Sequence, residues 1–547
     1  MCGIVGIFSS GSPVSPQALA AATAALGHRG PDGCRTWVAS DGRAGLGHTR
    51  LSIVAPGGIQ PIGSEDGTRQ LVVNGEFYDF AAIRRQLRER GHSFQGETDS
   101  EIGVHLYEER GPGCLEQLRG EFVLVLWDAR KGVLFAARDR FGIKPLFYAQ
   151  VGDSLVLASE AKALFAAGHL AAWDHETVYQ QIFGAFRSDR TLFSGVRQVP
   201  PGHYLYGPPG AVRLVRFWDV HYPARCSRRH FSEDECVARV RGLLTDAVRL
   251  RMQAHAPVGY LLSGGLDSSA VLSLAAAYSG QPLKAFTVAF PGAAHDESAK
   301  ARASASHVGA DLQVVPVSDL DVAENFAESV RHGEMIQYNA HGTARFILSR
   351  EIQRAGYRAV MAGEGADELF AGYGFVRPLL PTEQSRPAAA PLRRILGLVE
   401  PLSESEALIA GISPLMVGAS RVVGASEGAV QRAASVLCVV RSVLSPEFAT
   451  QHRRHDPYWT CRGSFDLTGK VWGREPAKQL IYLWLRTVFA SYHMAADRLD
   501  MAHAVEVRLP FLDHKLFEYA ARIPVSLLAR GGRQKHVLRE ASSPWIS

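Results

Sequence analysis

Short apolar runs dominate the first part of the chain, up to about residue 205. The runs at residues 71–73, 122–127, 133–137 and 155–158 have the length and the flanking turn residues of β-strands. The stretch at residues 80–90 instead places its apolar residues three or four positions apart, which predicts an amphipathic helix. Many short strands with few helices predict a first domain of the α+β class.

A different pattern begins near residue 233, where helical spacing alternates with short, continuous apolar runs. The run at residues 257–262 ends in a loop rich in Gly and Ser and is followed by helical spacing. The runs at 284–290 and 358–362 predict further strands. Strands that alternate with helices predict an α/β domain, in which a parallel sheet lies between two layers of helices and the core reaches about residue 373.

Length and composition fit two globular domains. A chain of 547 residues is too long for one hydrophobic core, and 46% apolar with 21% charged residues is typical of globular enzymes. The net charge of +5 is small for this length and gives no case for nucleic-acid binding. Seven cysteines without metal-ligand spacing predict free thiols in a reducing compartment. Because no apolar run resembles a membrane span or a signal peptide, we expect a cytoplasmic protein without a membrane partner.

The second residue is a cysteine that has the means to act as a nucleophile. Cys2 is small enough to allow removal of Met1, which would leave it with a free α-amine. A thiol attacks as the thiolate, and an α-amine that titrates near neutrality can relay its proton, so no catalytic histidine is needed. For Cys2 alone, a buried strand that includes a cysteine is an equally good interpretation.

Four downstream segments give Cys2 its partners. In order and spacing, together with Cys2, they resemble the glutaminase domain of the N-terminal-nucleophile (class II) glutamine amidotransferases, which has the fold of a layered αββα sandwich. The segments are His28-Arg29-Gly30-Pro31-Asp32-Gly33, Gly47-His48-Thr49-Arg50-Leu51-Ser52-Ile53, Val73-Asn74-Gly75-Glu76-Phe77-Tyr78 and Glu97-Thr98-Asp99-Ser100-Glu101.

The resemblance implies a role for each matching residue. Cys2 would be the nucleophile, and the side-chain amide of Asn74 with the backbone N–H of Gly75 would form the oxyanion hole. Arg50 would hold the α-carboxylate of glutamine, because a guanidinium group is a planar, two-pronged donor. The other glutamine-binding residues would be Ile53 and Val54 and, as acceptors for the α-ammonium group, Glu76 and Asp99.

The loop at residues 263–269 has the composition of an anion site. Its glycines let backbone N–H groups converge, its serine hydroxyls add donors, and the following helix adds the positive end of its dipole. The loop resembles the pyrophosphate loop of the ATP pyrophosphatases, which cleave ATP between its α- and β-phosphates. On that resemblance, the ATP-binding residues would be Leu262, Ser263, Gly264, Gly265, Asp267, Ser268, Ser269, Val288, Ala362 and Gly363.

A second Gly-rich loop, at residues 363–368, follows the predicted strand at 358–362 and is acidic. Acids at the ends of neighbouring parallel strands usually face the crevice in which ligands bind. Asp267 and Asp367 suit the oxygen-only coordination of Mg²⁺. Glu364 has the chemistry to take a proton from ammonia as it attacks an acyl-adenylate.

Both halves in this order resemble the glutamine-hydrolysing asparagine synthetases over nearly the whole length. The resemblance implies a glutaminase domain at residues 2–205, a linker at 206–232, and an ATP-pyrophosphatase domain at 233–547 with a divergent insert at about 376–456. Its ligands would be glutamine, ATP with Mg²⁺ and a carboxylate acceptor, aspartate by default, and a homodimer is compatible with it. Ammonia released at Cys2 would cross an internal channel to the acyl-adenylate.

Two other functions stay open. The acceptor could be a natural-product or peptide carboxylate, because one sequence does not define the acceptor pocket. The chain could also be a non-catalytic binding or regulatory homologue, because resembling enzymes continue further at the C-terminus and carry a lysine near the activated phosphate. Lys535 does not match that position, so the role is not carried over to it directly, and Lys535, Arg498 and Arg508 all stay open as cations that could neutralise the departing pyrophosphate. We therefore expect slow amide formation, with ATP turnover poorly coupled to glutamine use.

Overall fold

The structure is a computed structural model that describes residues 1–54, 58–182, 186–224, 231–293, 296–374, 376–380, 444–452 and 465–546. Its strands are β1 (Gly3–Ser9), β2 (Gly33–Val38), β3 (Ala44–Arg50), β4 (Ile62–Gly63), β5 (Arg69–Tyr78), β6 (Arg119–Asp128), β7 (Val133–Arg138), β8 (Phe147–Val151), β9 (Ser154–Ala158), β10 (Arg197–Gln198), β11 (His203–Gly207), β12 (Arg213–Arg216), β13 (Val258–Leu261), β14 (Lys284–Ala289), β15 (Asp311–Pro316), β16 (Ala359–Met361), β17 (Glu506–Arg508), β18 (Ala529–Arg530) and β19 (Arg533–Gln534).

The α-helices connect and cover these strands. They are α1 (Pro16–Ala24), α2 (Phe80–Glu89), α3 (Ile102–Arg110), α4 (Ala161–Ala166), α5 (His175–Ile182), α6 (Glu233–Met252), α7 (Leu266–Ser279), α8 (Ser298–His307), α9 (Asp319–Gly333), α10 (His341–Arg354), α11 (Ala366–Phe370), α12 (Pro446–Gln451), α13 (Pro476–Trp484), α14 (Ala496–Met501), α15 (His514–Ala520), α16 (Val525–Leu528) and α17 (His536–Ser542).

The first half contains two antiparallel six-stranded sheets packed face to face. Their strand orders are β10-β8-β9-β1-β3-β2 and β12-β11-β7-β6-β5-β4. Apolar side chains from both sheets, among them Phe8 and Trp127, form one core between them. Leu19 of α1 and Leu164 of α4 pack on the outer face of the first sheet, and helices α2 and α3 cover the second. This confirms the αββα arrangement and the strands and helix expected from the apolar pattern.

The second half is built on a parallel sheet with the strand order β15-β14-β13-β16-β17. Helix α7 follows β13, and helix α11 follows β16 after a short loop. Parallel strands end at the same edge of a sheet, so the loops after β13 and β16 lie side by side. The expected α/β domain with a parallel sheet is therefore confirmed.

The structure differs from one expected domain boundary. Strand β12 lies inside the expected linker at 206–232 and forms the edge of the second sheet, so we propose to narrow the linker to about 217–232. The expected insert at 376–456 lies mostly outside the described residues. No helix within the described ranges is long and apolar enough to cross a membrane.

Helix α4 of the first half is capped by a side chain of the second half. Its own N-cap residue, Glu160, makes no capping bond with its side chain. The carboxylate of Glu334, just after α9, instead accepts hydrogen bonds of 2.8 Å from the backbone N–H groups of both Ala161 and Lys162. A carboxylate at a helix N-terminus satisfies unpaired donors and interacts favourably with the helix dipole. A helix of the first half therefore depends on a side chain of the second half for its N-terminal cap.

Candidate active sites

Cys2 lies buried at the entrance to β1. Its backbone N–H donates to Asn74 Oδ1 at 3.0 Å, which ties the start of β1 to the middle of β5. Burial raises the pKa of the thiol, although the nearby α-amine and the Leu51 N–H oppose the shift. The amine of Met1 is 3.1 Å from Glu506 Oε2 of the second half. The chain terminus thus lies at the boundary between the halves.

Asn74 and Gly75, the expected oxyanion hole, are adjacent residues in the middle of β5. Asn74 is fully buried, and its Nδ2 has no hydrogen-bond partner within the part of the chain that the structure describes. A buried N–H donor without a partner is costly, so this amide is suited to a ligand oxygen. Gly75 has a φ of 130°, and a Cβ there would lie 2.0 Å from the Glu121 carbonyl oxygen. Only glycine lets β5 approach β6 this closely.

Two buried carboxylates, Glu76 on β5 and Asp99 in the turn before α3, lie close enough to influence each other. Asp99 accepts from the backbone N–H of Phe77 at 2.7 Å, yet burial raises its pKa to about 6. Burial, together with Asp99 and Glu506, raises the pKa of Glu76 well above its usual value. The nearest guanidinium nitrogen to Glu76, Arg508 Nη2, is 3.6 Å away. The cationic groups nearby do not fully compensate the negative charge of these two carboxylates. An ammonium group bound between them would supply the missing positive charge.

The other residues expected to bind glutamine lie at the end of β3 and in the segment that follows it. Arg50 is half-buried, and its Nη2 donates to Ser52 Oγ at 3.1 Å. Ile53 is buried in a small apolar cluster with Met1, and half-buried Val54 packs against that cluster. Strand β3 pairs with β1, with Thr49 opposite Gly3. This pairing brings Arg50 beside Cys2.

We expect glutamine binding to weaken as the pH falls through about 6. Protonation removes the negative charge with which Asp99 would attract an ammonium group, and its pKa of about 6 means that only about a tenth of it is ionised at pH 5. The KM for glutamine should therefore rise about tenfold between pH 8 and pH 5. Steady-state glutaminase assays across that range measure it. Asp99→Asn should raise KM at pH 8 and flatten the profile; an unchanged profile in that variant would assign the titration to another group.

Hydrogen bonds of its own serine side chains fix the conformation of the loop between β13 and α7. Ser268 Oγ accepts from the backbone N–H of Ser263 at 3.2 Å and lies 3.1 Å from Ser263 Oγ. Gly264 has a φ of 76°, and a Cβ there would lie 2.5 Å from the backbone of α8. Ser269 Oγ bonds to Ser304 Oγ at 3.0 Å. The loop therefore presents backbone donors at the N-terminus of a 14-residue helix, an arrangement suited to bind an anion.

The other expected ATP residues surround this loop. Gly363 touches it, since a Cβ there would lie 2.6 Å from the Ser268 nitrogen. Buried Leu262 and Ala362 immediately follow β13 and β16. Val288 is half-buried near the end of the adjacent strand β14. The parallel sheet thus brings the expected ATP-binding residues together at the C-terminal ends of its strands.

Lys535 lies between the two carboxylates expected to bind Mg²⁺. Its Nζ is 2.6 Å from Asp267 Oδ2 and 2.6 Å from Asp367 Oδ1. Lys535 has a left-handed backbone with φ 57°, a conformation that costs energy and often marks a functional position. The structure thus brings Lys535, whose role the sequence left open, into contact with both expected Mg²⁺ ligands. The β18–β19 hairpin and α17 return the lysine to the loop.

The Mg²⁺ expectation is compatible with these residues. Asp267 Oδ1 is buried without a hydrogen-bond partner among the described residues. Burial raises the pKa of Asp267 even beside the Lys535 ammonium group. A buried carboxylate oxygen without a hydrogen-bond donor suits a hard cation with oxygen ligands.

The two arginines considered as substitutes for the lysine point elsewhere. Arg508 is fully buried, and its Nε donates to Glu506 at 2.6 Å on the side that faces the first half. Arg498 donates to the Gly333 carbonyl oxygen at 2.7 Å and stacks on Phe147. Neither has a contact with the loop acids, so the alternative expectation for Arg498 and Arg508 is wrong.

Glu364 follows β16 and is paired with an arginine that the sequence did not reveal. Arg345 of α10 donates to Glu364 and, at 2.8 Å, to the buried Asp500. Arg345, Glu364 and Asp500 all line a small cavity between the halves. Its lining comprises Ile143, Arg345, Glu364, His493, Met494, Ala496, Asp497, Asp500, Val507 and Leu509.

A buried arginine connects this cavity to Cys2. Arg29 Nε donates to the Cys2 carbonyl oxygen at 3.1 Å, and its Nη2 donates to Asp497 Oδ2 at 2.9 Å. Asp497 lines the same cavity as Glu364. Arg29 belonged to a motif recognised in the sequence, but its partner lies 468 positions away.

Comparison with known proteins agrees with this geometry. A family model of asparagine synthase matches residues 239–546, and a model of a glutamine amidotransferase domain matches residues 1–218. The amidase chry2 of Gibberella zeae is 33% identical over 95% of this chain and 82% of that protein. The amidase chyE of Penicillium rubens is 34% identical over 95% of this chain and 81% of its own length. The glutamine-hydrolysing asparagine synthetase 1 of Bacillus subtilis is 29% identical over 99% and 84% respectively.

Proposed function

Because the chain belongs to the family of glutamine-hydrolysing asparagine synthetases, we propose that it makes an amide from glutamine, ATP and a carboxylic acid, with aspartate as the default acceptor. The observation that carries the proposal is a cavity between the halves whose wall is linked to residues of both sites. Asp497 on its wall is bonded through Arg29 to the Cys2 carbonyl, and Glu364 on the same wall belongs to the acidic loop at 363–368.

At the first site, glutamine is hydrolysed through a thioester. The Cys2 sulfur attacks the side-chain carbonyl carbon of glutamine, and the oxyanion accepts from Asn74 Nδ2 and the Gly75 N–H. The thiol proton passes through the α-amine, freed by loss of Met1, to the departing ammonia. Water then releases glutamate. Arg50 holds the α-carboxylate, with Glu76 and Asp99 on the α-ammonium group.

At the second site, the acceptor carboxylate attacks the α-phosphorus of ATP and pyrophosphate leaves. The loop at 263–269 would hold the phosphates through backbone and hydroxyl donors. Lys535 would offset the charge that develops on pyrophosphate. Asp267 and Asp367 would hold Mg²⁺, which supplies further neutralisation of the triphosphate.

Ammonia would reach the acyl-adenylate through the cavity between the halves. Ile143, Val507 and Leu509 give its wall apolar portions that suit a neutral molecule. Glu364, oriented by Arg345, would accept a proton as the ammonia nitrogen attacks the acyl carbon. AMP is then the leaving group.

Acceptor-dependent release of pyrophosphate tests the proposal. The full chain is incubated with glutamine, ATP and Mg²⁺, with aspartate or one of a panel of other acids, and AMP, pyrophosphate, glutamate and amide are quantified. We expect aspartate to stimulate pyrophosphate release and to yield one amide per AMP. Absence of stimulation by every acid would contradict an amide synthetase.

Variants of the phosphate loop locate that activity. Asp267→Asn and Ser263→Ala should reduce acceptor-dependent pyrophosphate release by about 100-fold or more, because each removes a group that contacts the triphosphate. Glutaminase activity should stay within about twofold, since Cys2 and its partners are unchanged. Wild-type pyrophosphate release in Asp267→Asn would assign the loop a structural role only.

A second candidate function is an amide synthetase for another carboxylate. Two relatives named amidases are 33–34% identical to this chain, whereas the Bacillus subtilis synthetase is 29% identical. This difference favours an acceptor other than aspartate. The same acid panel decides it: stimulation by a larger acid but not by aspartate would replace the default acceptor.

A further inference from the structure

Two histidines and two glutamates meet in the first half of the chain, outside the residues assigned to glutamine or ATP. Glu65 lies in the turn between β4 and β5, His92 follows α2, and His105 and Glu108 lie on α3. One ligand atom from each lies within 4.8 Å of all the others. We propose that Glu65, His92, His105 and Glu108 bind one zinc ion.

Four distances between the ligating groups are close to those of a tetrahedral site, with His105 and His92 each near a different oxygen of Glu65. His105 Nδ1 is 3.2 Å from Glu108 Oε2 and 3.4 Å from Glu65 Oε2. His92 Nδ1 is 3.3 Å from Glu65 Oε1 and 3.7 Å from Glu108 Oε2. Ligands about 2.0–2.1 Å from a tetrahedral zinc ion lie roughly 3.3–3.4 Å apart. The four groups therefore need only small shifts to surround the ion.

Each histidine turns its second ring nitrogen toward a further carboxylate. His92 Nε2 is 3.5 Å from Glu109 Oε1, and His105 Nε2 is 3.9 Å from Glu101 Oε1. Zinc-binding histidines usually donate their other N–H to a carboxylate, which fixes the tautomer and the orientation of the ring. The cluster thus carries an outer layer as well as four ligands.

The burial of His105 strengthens the assignment. Its side chain is only 1% exposed, and its Nε2 has no hydrogen-bond partner among the described residues. A neutral imidazole has one N–H, so it cannot donate to both Glu108 and Glu101. Zinc on Nδ1 removes this conflict, because the proton is then free to stay on Nε2 and face Glu101. The alternative is a charged imidazolium without any metal, and the experiment separates the two.

Charge also favours a divalent cation. Four carboxylates surround the two imidazoles, and two guanidinium groups face them: Arg69 contacts Glu108 at 2.8 Å and Arg90 contacts Glu109 at 2.6 Å. Among the residues that the structure describes, Glu65 and Glu101 then have no lysine or arginine partner when the histidines are neutral. Imidazole and carboxylate together suit zinc better than the hard cation Mg²⁺.

Zinc here would support the glutamine site without touching it. Helix α3 follows directly on the short 3₁₀ turn Asp99–Glu101, which carries the carboxylate expected to bind the α-ammonium group. The ion would join this segment to the β4–β5 turn. The proposal concerns a structural metal and does not depend on the acceptor or on the synthetase reaction.

The test is the zinc content of the full, tag-free chain after dialysis against zinc chloride and removal of unbound metal. Elemental analysis should find about one zinc per chain, and added zinc should raise the Tm. Zinc content below about a tenth per chain, or no change in Tm, would overturn the proposal and favour the imidazolium network.

Variants show whether the zinc lies at this cluster. Glu65→Gln changes a partly exposed turn residue, and His92→Gln removes the more exposed imidazole. Each should lower bound zinc about tenfold while circular dichroism shows a folded chain. Glu89→Gln and His341→Gln, both exposed and outside the cluster, serve as matched controls and should keep about one zinc. Full zinc content in Glu65→Gln and His92→Gln would place the metal elsewhere and reject the site.

Discussion

Cys2→Ala will lower glutamine hydrolysis by at least about 1,000-fold, because removal of a catalytic nucleophile leaves only binding and the oxyanion hole. Amide formation from free ammonium should persist, since the phosphate loop, Lys535 and Glu364 lie in the other half of the chain. Glutamate release measures the first activity. Pyrophosphate release with ammonium chloride in place of glutamine measures the second.

Cys34→Ala is the matched control for this variant. Cys34 is an exposed free thiol on β2, and its loss should leave both activities unchanged. Hydrolysis of glutamine at wild-type rate by Cys2→Ala would remove Cys2 from the mechanism. Loss of the ammonium-dependent reaction as well would show that the variant disturbs the boundary between the halves, where Met1 meets Glu506.

Lys535→Met should reduce acceptor-dependent pyrophosphate release by about 100- to 1,000-fold, the usual effect of removing one charge-stabilising group from an active site. The lysine is mostly buried between Asp267 and Asp367, so its removal also leaves two acids facing each other. Pyrophosphate release and glutaminase activity are measured in parallel, and only the former should fall. Because Lys535 lies between the two acids, we now expect the wild-type chain to form close to one amide per glutamine consumed, in place of the poor coupling that the sequence predicted.

Two variants make the result for Lys535 interpretable. Lys535→Arg keeps the charge and should recover part of the rate, which a lost packing contact alone would not explain. Lys515→Met removes an exposed lysine from α15 and should behave as the wild type. Pyrophosphate release at the wild-type rate in Lys535→Met would mean that the lysine only holds the two acids apart.

The sequence predicted those parts of the sites that lie within single strands and their following loops. Asn74 and Gly75 are consecutive on β5, and the serines at 263 and 268 share one strand-loop-helix unit, so local spacing determines their geometry. The apolar pattern also predicted the order of strands and helices, because a period of two or of three to four residues reflects burial on one face.

What the sequence did not predict depends on contacts between distant segments. Lys535 reaches the acidic loop only because the β18–β19 hairpin turns the chain back, and no local pattern specifies that return. Arg345 meets Asp500 across 155 positions, and Arg29 meets Asp497 across 468. Such pairs form where buried charges require partners, which depends on tertiary packing.

The capping of α4 by Glu334 limits how this protein can be recombined. A hybrid that joins its first half to an unrelated synthetase half would leave the N–H groups of Ala161 and Lys162 without their acceptor, at a cost of about 1 kcal/mol. It would also leave Arg29 without Asp497 in a buried position, which is more damaging. A gene fusion that exchanges the halves would therefore have to keep Glu334 and Asp497 together with the glutaminase half. Residues that stabilise the first half are thus encoded within the sequence of the second.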